Sequence, residues 1–296
     1  MTKKALITGA TGDTGRTAVR ESLGLRLKVR ALVHGKDKRS VALEELGAEV
    51  VVGDLLEINT IRAAMEGVDA AYLCWPVKPG LIHATVNFAQ AAKEAGVSTL
   101  INLSQRSANR ESTSDSCRDS FIAEQVLNWS GLRVIHLRPT YFLEWLLYPW
   151  QLPYVQRGVL RMPVGKGRHS PIAAEDQGRA IAALLKNPEE HIGKTIPLSG
   201  AVEMDHEKMA AELTEALGRK IVFQDLPIDE YCTSIEAMGV PPYVVQHLRG
   251  AMADYQAGHM SGSDNNVETL TGRRPMTVGE FARAHADVLN ANQVGQ

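Results

Sequence analysis

Apolar positions along the chain alternate between two patterns. Short, nearly continuous runs recur at Ala5 to Ile7, at KVRALV (Lys28 to Val33), at AEVVVGD (Ala48 to Asp54), at DAAYLC (Asp69 to Cys74), at STLINLS (Ser98 to Ser104) and at LRVIHLRP (Leu132 to Pro139). Such runs are too short for helices and are bounded by turn residues, so they read as strands covered on both faces. Between them lie segments with apolar residues three and four apart: the stretch after Gly15, then SVALEELG, then NTIRAAMEG starting after Asn59, LIHATVNFAQAAKEAG and FIAEQVLNWSG. In the fourth of these, Ile82, Val86, Ala89 and Ala92 share one expected face, and Gly96 supplies the stop. Six strands alternating with helices predict an α/β chain, a doubly wound parallel sheet with right-handed crossovers.

After Pro139 the alternation loosens. TYFLEWLLYPWQLPYVQRG gathers Tyr141, Phe142, Trp145, Tyr148, Trp150 and Tyr154, with Pro149, Pro153 and Pro163 nearby. Helical periods follow over Glu175 to Lys186, Glu203 to Leu217, Ile228 to Met238, Tyr243 to Tyr255 and Val278 to Leu289, with short strands in TIPLSG and KIVFQDLP. This predicts a nucleotide-type domain over residues 1–140 and a smaller, mostly helical lobe over residues 141–296, with some segments returning to the sheet. The polar run GHMSGSDNN (Gly258 to Asn266) reads as a mobile loop.

Composition narrows the classes. In 296 residues, 34 acidic side chains stand against 32 basic ones without a long basic run, so nucleic acid is not the expected partner. Cys74, Cys117 and Cys232 are odd in number and lack paired spacing, which argues against a disulfide framework or a metal site and for a reducing cytoplasm. No apolar run is long enough for a membrane span, and MTKK leads directly into a strand, so neither a membrane partner nor a signal peptide is expected. Oligomeric state is not legible, a homodimer being one option.

The first turn carries the strongest chemical signal. In ALITGATGDTGRTAV, Gly9, Gly12 and Gly15 follow a strand and open a helix at the start of a βαβ unit. Glycine there permits positive φ and leaves the backbone open, so a dinucleotide pyrophosphate can lie against N–H groups at the helix's positive end. The fold class is therefore Rossmann-like. After the second strand the chain reads VHGKDKRS. Its basic character, with Lys38 and Arg39 foremost, suits the 2′-phosphate of NADP, where a carboxylate would have suited NAD; the alternative is a solvated surface turn. Asp54, closing the third strand, is placed either to accept from an adenine amino group or to cap the following turn.

With TGATGDTG, GAEVVVGDL, AAKEAGVSTLINLS, EQVLNWSGLRVIHLRPTYF, LTEALGRKIVF and GVPPYVVQHL in view, the chain resembles the NmrA-like branch of the atypical short-chain dehydrogenases, nearest its triphenylmethane reductase and quinone oxidoreductase type. The resemblance implies an NADP(H)-binding domain and a lobe closing a substrate cleft. It implies a phosphate loop of Gly9, Thr11, Gly12, Asp13, Thr14 and Gly15, with Asp54 and Leu55 at the adenine. Cys74, Trp75 and Pro76 would lie beside the ribose and nicotinamide, and Lys38 matches a lysine common in the branch. His34 stands where the branch usually has arginine.

The catalytic apparatus is thinner. None of the 7 tyrosines is followed four residues later by lysine, so the Tyr-x-x-x-Lys proton donor of short-chain dehydrogenases is absent. Ser104 closes the fifth strand where those enzymes carry a serine, with Gln105 beside it; Ser104 is either a site hydroxyl or a turn cap. Tyr141, Phe142 and Trp145 either face a flat apolar acceptor or form core between lobes, and His136 within VIHLR reads as a core histidine. Two functions are consistent with these features. One is an NADPH-dependent oxidoreductase acting on a small conjugated acceptor, a quinone, dye or enone; the other is a non-catalytic NADP(H)-sensing regulator.

Overall fold

The computed structural model describes residues 2–291. The chain runs β1 (Lys4–Ile7), α1 (Asp13–Gly24), β2 (Lys28–Val33), α2 (Lys38–Glu45), β3 (Glu49–Val52), α3 (Ile58–Met65), β4 (Ala70–Leu73), α4 (Leu81–Glu94), β5 (Thr99–Leu103), α5 (Asp115–Trp129) and β6 (Val134–Pro139). It continues through a 3-10 turn at Leu143–Leu147 to α6 (Leu152–Gln156), β7 (Val159–Arg161), α7 (Ala174–Lys186), β8 (Thr195–Leu198), α8 (His206–Leu217) and β9 (Val222–Gln224). Four helices close it: α9 (Ile228–Ala237), α10 (Pro242–Gln256), α11 (Asn266–Thr271) and α12 (Val278–Ala284), followed by the single turn α13 (Ala286–Leu289).

The six anticipated strands form and lie parallel, and a seventh joins them in the order β3-β2-β1-β4-β5-β6-β8. The continuous apolar runs follow from burial on both faces. On one face Ile7, Tyr72, Ile101 and Ile135 pack with Val19 of α1 and Ile181 and Leu184 of α7. On the other, Leu6, Leu73 and Leu100 pack with Ile61, Met65, Phe88 and Leu127 of α3, α4 and α5.

Several boundaries differ from expectation for local reasons. TIPLSG is not a lobe strand but β8, paired with β6 from His136 opposite Thr195. Its preceding helix α7 lies so close to α1 that a Cβ on Gly178 would sit 2.6 Å from Thr17 Cβ. β9 pairs with β7, a three-residue strand too short to show a period. Helix α3 starts at Ile58, not after Asn59, because Thr60 Oγ1 turns back to the Asp54 and Glu57 carbonyls. The buried arc of α4 is Ala84, Phe88 and Ala91, flanked by Thr85 and Ala92, and Val86 is exposed, because α3 and α5 flank this helix on the sheet. Helix α5 begins at Asp115, before Phe121, capped by Ser114. Helix α8 begins at His206, where Asp205 accepts from Lys208 N, and the last predicted helix divides at His285.

The Gly258 to Asn266 loop is tied down, which corrects its reading as mobile. Arg106 donates to the Ser261 carbonyl (2.8 Å), Ser170 to the Gly262 carbonyl (3.0 Å), and Gly262 N–H to Glu203 (2.8 Å), while Met260 is buried. His136 is a satisfied core histidine between Asn102 (3.1 Å) and Asn128 (3.1 Å).

Candidate active site

At the end of β1 the chain turns through Gly9, whose φ of 59° lies in the left-handed region. Gly12 N–H donates to the Gly9 carbonyl at 3.0 Å, and Gly12 is the N-cap of α1 with no side-chain cap. The first N–H groups of the helix therefore have no acceptor within it and carry the helix's positive end. Gly15 does a different job: a Cβ there would lie 2.0 Å from the Gly9 carbonyl oxygen, so it lets the helix pack on the turn. The result is an open backbone cradle with the chemistry of a phosphate site.

That cradle forms one end of a cleft of about 530 Å³ at the C-terminal ends of the strands, where strand order reverses between β1 and β4. Thr8 accepts from Cys74 N–H at 2.8 Å and holds the two strand ends together. Cys74, Trp75 and Pro76 line the cleft, and Lys78 covers the Trp75 ring at 4.4 Å. Ser104 lines it with an Oγ that finds no partner among the described residues. Gln105 also lines it, but its amide is committed to Ser120 Oγ (2.8 Å) and the Ser116 carbonyl (3.1 Å).

Aromatic rings build the opposite wall. Tyr141 and Trp145 meet edge to face at 4.4 Å, Trp145 stacks with Tyr148 at 6.3 Å, and Phe142 lies alongside. Behind Tyr141 sits a buried pair of stacked histidines, His169 and His206, 5.0 Å apart. Tyr141 is thus cleft wall and lobe core at once. Burial pushes the hydroxyls of Tyr141 and Tyr255 well above their ordinary value and that of Tyr148 up to about 12. A tyrosine acid needs the opposite shift, so these phenols are poor proton donors. A second cavity of about 610 Å³ lies beyond Tyr148, among Arg16, Arg20, Glu144 and Glu175, with neither the glycines of the turn nor the aromatic wall.

The NmrA-like family model matches residues 1–282. The chain belongs to that family. It is similar to an NAD(P)H azoreductase of Xenophilus azovorans, 28% identical over 286 residues that cover 97% of this chain and 99% of that one. It is also similar to the solved structure of an NADPH-dependent quinone oxidoreductase of Escherichia coli, 25% identical with a TM-score of 0.80, covering 95% of this chain and 98% of that one. The triphenylmethane reductase of Citrobacter sp., solved with NADP(H), shares the fold at a TM-score of 0.82 and 20% identity, over 96% of this chain and 99% of that one.

In this NmrA-like protein the expected nucleotide residues divide into two groups. Gly9, Gly12, Asp13, Thr14, Gly15, Cys74, Trp75 and Pro76 line the cleft. Thr11, His34, Lys38, Arg39, Asp54 and Leu55 do not. His34 is exposed with Nδ1 3.7 Å from Asp54, whose other oxygen accepts from Leu56 N–H at 2.9 Å. Arg39 is not a free cation: its guanidinium donates to Asp37 at 2.8 Å, and Asp37 caps α2 by accepting from the Arg39 and Ser40 N–H groups. Lys36 pairs with Glu44 at 2.9 Å, whereas Lys38 makes no ion pair among the described residues.

Sequence reasoning missed the inner face of α10, where Val244, His247, Leu248, Ala251, Met252 and Tyr255 close the cleft. Their spacing is the stripe of any amphipathic helix, so nothing local distinguishes a cleft wall from core.

Proposed function

We propose that this NmrA-like protein is an NADPH-dependent reductase delivering hydride to a flat conjugated acceptor: a quinone, a dye or an enone. The observation carrying the proposal is one continuous cleft from an anion-binding glycine turn to an aromatic wall. The names of the azoreductase and quinone oxidoreductase relatives support the same class. Reduced nicotinamide, when bound, supplies the hydride. The α1 N-terminus holds the pyrophosphate, the Cys74 to Pro76 turn borders the ribose and nicotinamide, and Tyr141, Phe142 and Trp145 offer a flat face for the acceptor. In this reading residues 1–140 with α7, β8 and α11, which packs on both, form the nucleotide half, and the segment after Pro139 together with α10 covers the acceptor.

A conjugated acceptor spreads the incoming charge, whereas a simple ketone becomes an alkoxide that needs a strong acid. Following NADPH absorbance over a panel, we expect turnover with quinones and dyes and little with unconjugated ketones. Efficient ketone reduction would reveal an overlooked proton donor, with Ser104 the first residue to mutate. NADPH binding with no turnover on any acceptor would move the assignment to nucleotide sensing.

For the 2′-phosphate, the uncommitted charge is that of Lys38. Lys38→Ser is expected to reduce the NADPH over NADH preference roughly tenfold or more, as loss of a charge-assisted hydrogen bond does. Arg39→Ser should do less, because Arg39 is held by Asp37. Equal NADH and NADPH affinities in the native protein would leave the loop as mere surface.

A further inference from the structure

The wall of the cleft opposite the sheet carries a polar group that the aromatic stacking does not use. Helix α10 crosses the start of α5 so closely that a Cβ on Gly250 would lie 2.7 Å from Ser114. One turn earlier on α10, His247 is brought against the same serine, with Nδ1 3.0 Å from Ser114 Oγ. Ser114 is the N-cap of α5, and its Oγ accepts from Cys117 N–H at 3.2 Å. The serine is fully buried, so its hydroxyl hydrogen needs an acceptor as well. Assigning that role to His247 Nδ1, which also lies 3.9 Å from Cys117 Sγ, satisfies the serine and sets the tautomer.

The ring's protonation follows. Burial pulls the His247 imidazole down to about 4, so it is neutral at ordinary pH. A neutral imidazole whose Nδ1 accepts carries its hydrogen on Nε2. Nε2 makes no hydrogen bond among the described residues, and His247 lines the cleft beside Val244 and Leu248. Nε2 is not among the buried unpartnered atoms, so it is open to the cleft, where an oxygen or nitrogen of a bound ligand can replace water on it.

We propose that His247 Nε2–H receives a lone-pair oxygen or nitrogen of the acceptor, making this site selective for conjugated carbonyl and azo compounds over triarylmethyl cations, which have no such atom at the reacting carbon. The inference rests on the reductase reading. When hydride from a reduced nicotinamide adds to a quinone, its electron pair ends as negative charge on the conjugated oxygen. The nicotinamide is oxidised, the N–H···O bond strengthens onto the developing oxyanion, and water supplies the quinol's proton after release. The histidine keeps its own hydrogen throughout. Its role is charge stabilisation from a neutral, pre-oriented ring.

The test compares His247→Phe and His247→Gln with the native enzyme on a benzoquinone and on a triphenylmethane dye cation, with calorimetric binding of NADPH and of an aromatic dione. His247→Phe should lower kcat for the quinone by about 100-fold or more while changing the dye rate less than about threefold, the scale expected on losing one oxyanion donor. NADPH affinity should be unchanged, and His247→Gln, which keeps an N–H, should recover much of the quinone rate. Equal losses on both acceptors would mean a structural role and overturn the proposal, as would no loss. If the native protein reduces neither compound, the reductase reading fails, and dione binding alone decides. Binding about fivefold weaker or more in His247→Phe retains the donor, since a hydrogen bond of ordinary strength is worth that much, and equal binding removes it.

Discussion

Gly12→Val is expected to abolish NADPH binding with the fold intact, whereas Gly15→Ala is expected to unsettle the fold itself. A Cβ on Gly12 meets only the Gly9 carbonyl oxygen at 3.3 Å, and its φ of −80° suits any residue. The valine methyls therefore act mainly on whatever lies against the cradle, and a phosphate that needs backbone contact loses it. We expect an affinity loss of at least about 100-fold, consistent with several charge-assisted hydrogen bonds broken together. At Gly15 the added Cβ would lie 2.0 Å from the Gly9 oxygen and 2.7 Å from its carbon, both backbone atoms without a rotamer to yield. Overpacking of this kind costs roughly 3 kcal/mol, or about 5 °C in Tm for a chain of this size. Calorimetric titration and thermal unfolding of both variants separate the roles. Undiminished NADPH affinity in Gly12→Val would remove the phosphate assignment.

Acidification should expose a second built-in cost. His169, His206 and His247 are buried, and burial holds the last two down at about 4 and His169 well below its ordinary value. An unfolded histidine titrates near 6.5, so between about pH 6.5 and 4 the unfolded chain binds protons that the folded chain refuses. The contribution to stability is whole above pH 6.5 and is lost as the pH falls. At pH 5 the loss is roughly 2 kcal/mol for each of His206 and His247. Glu144, raised to about 7 by burial, works the other way, gaining its proton more readily in the folded state, so wild-type totals mix the two. A variant isolates one group. His206 has neither ring nitrogen bonded among the described residues and packs on Phe223 at 5.4 Å and Tyr255 at 5.7 Å. His206→Phe should be near neutral at pH 7.5, since no hydrogen bond is lost, and more stable than wild type by roughly 2 kcal/mol at pH 5. Urea unfolding at both pH values checks this. An identical acid loss in both proteins would show that His206 is not the sensitive group.

The order of strands and helices through β6, and the glycine turn that opens α1, were legible in the sequence because their causes are local. A strand buried on both faces has to be apolar along its length, and a tight strand-to-helix turn needs glycine where φ is positive, as at Gly9, and where backbone packs on backbone, as at Gly15. His136 was legible for the same reason, since an apolar strand surrounds it. The tertiary structure alone decided the rest. TIPLSG reads as a strand wherever it pairs, and only the close approach of α7 to α1 assigns it to the main sheet. Arg39 and Lys38 are equivalent cations in sequence until Asp37 turns to cap α2 and engages one of them. His247 and Ser114 are 133 positions apart, and no period along the chain couples them. Local backbone chemistry extends over one turn or one strand, whereas the character of a cleft depends on side chains that meet only after distant elements have packed.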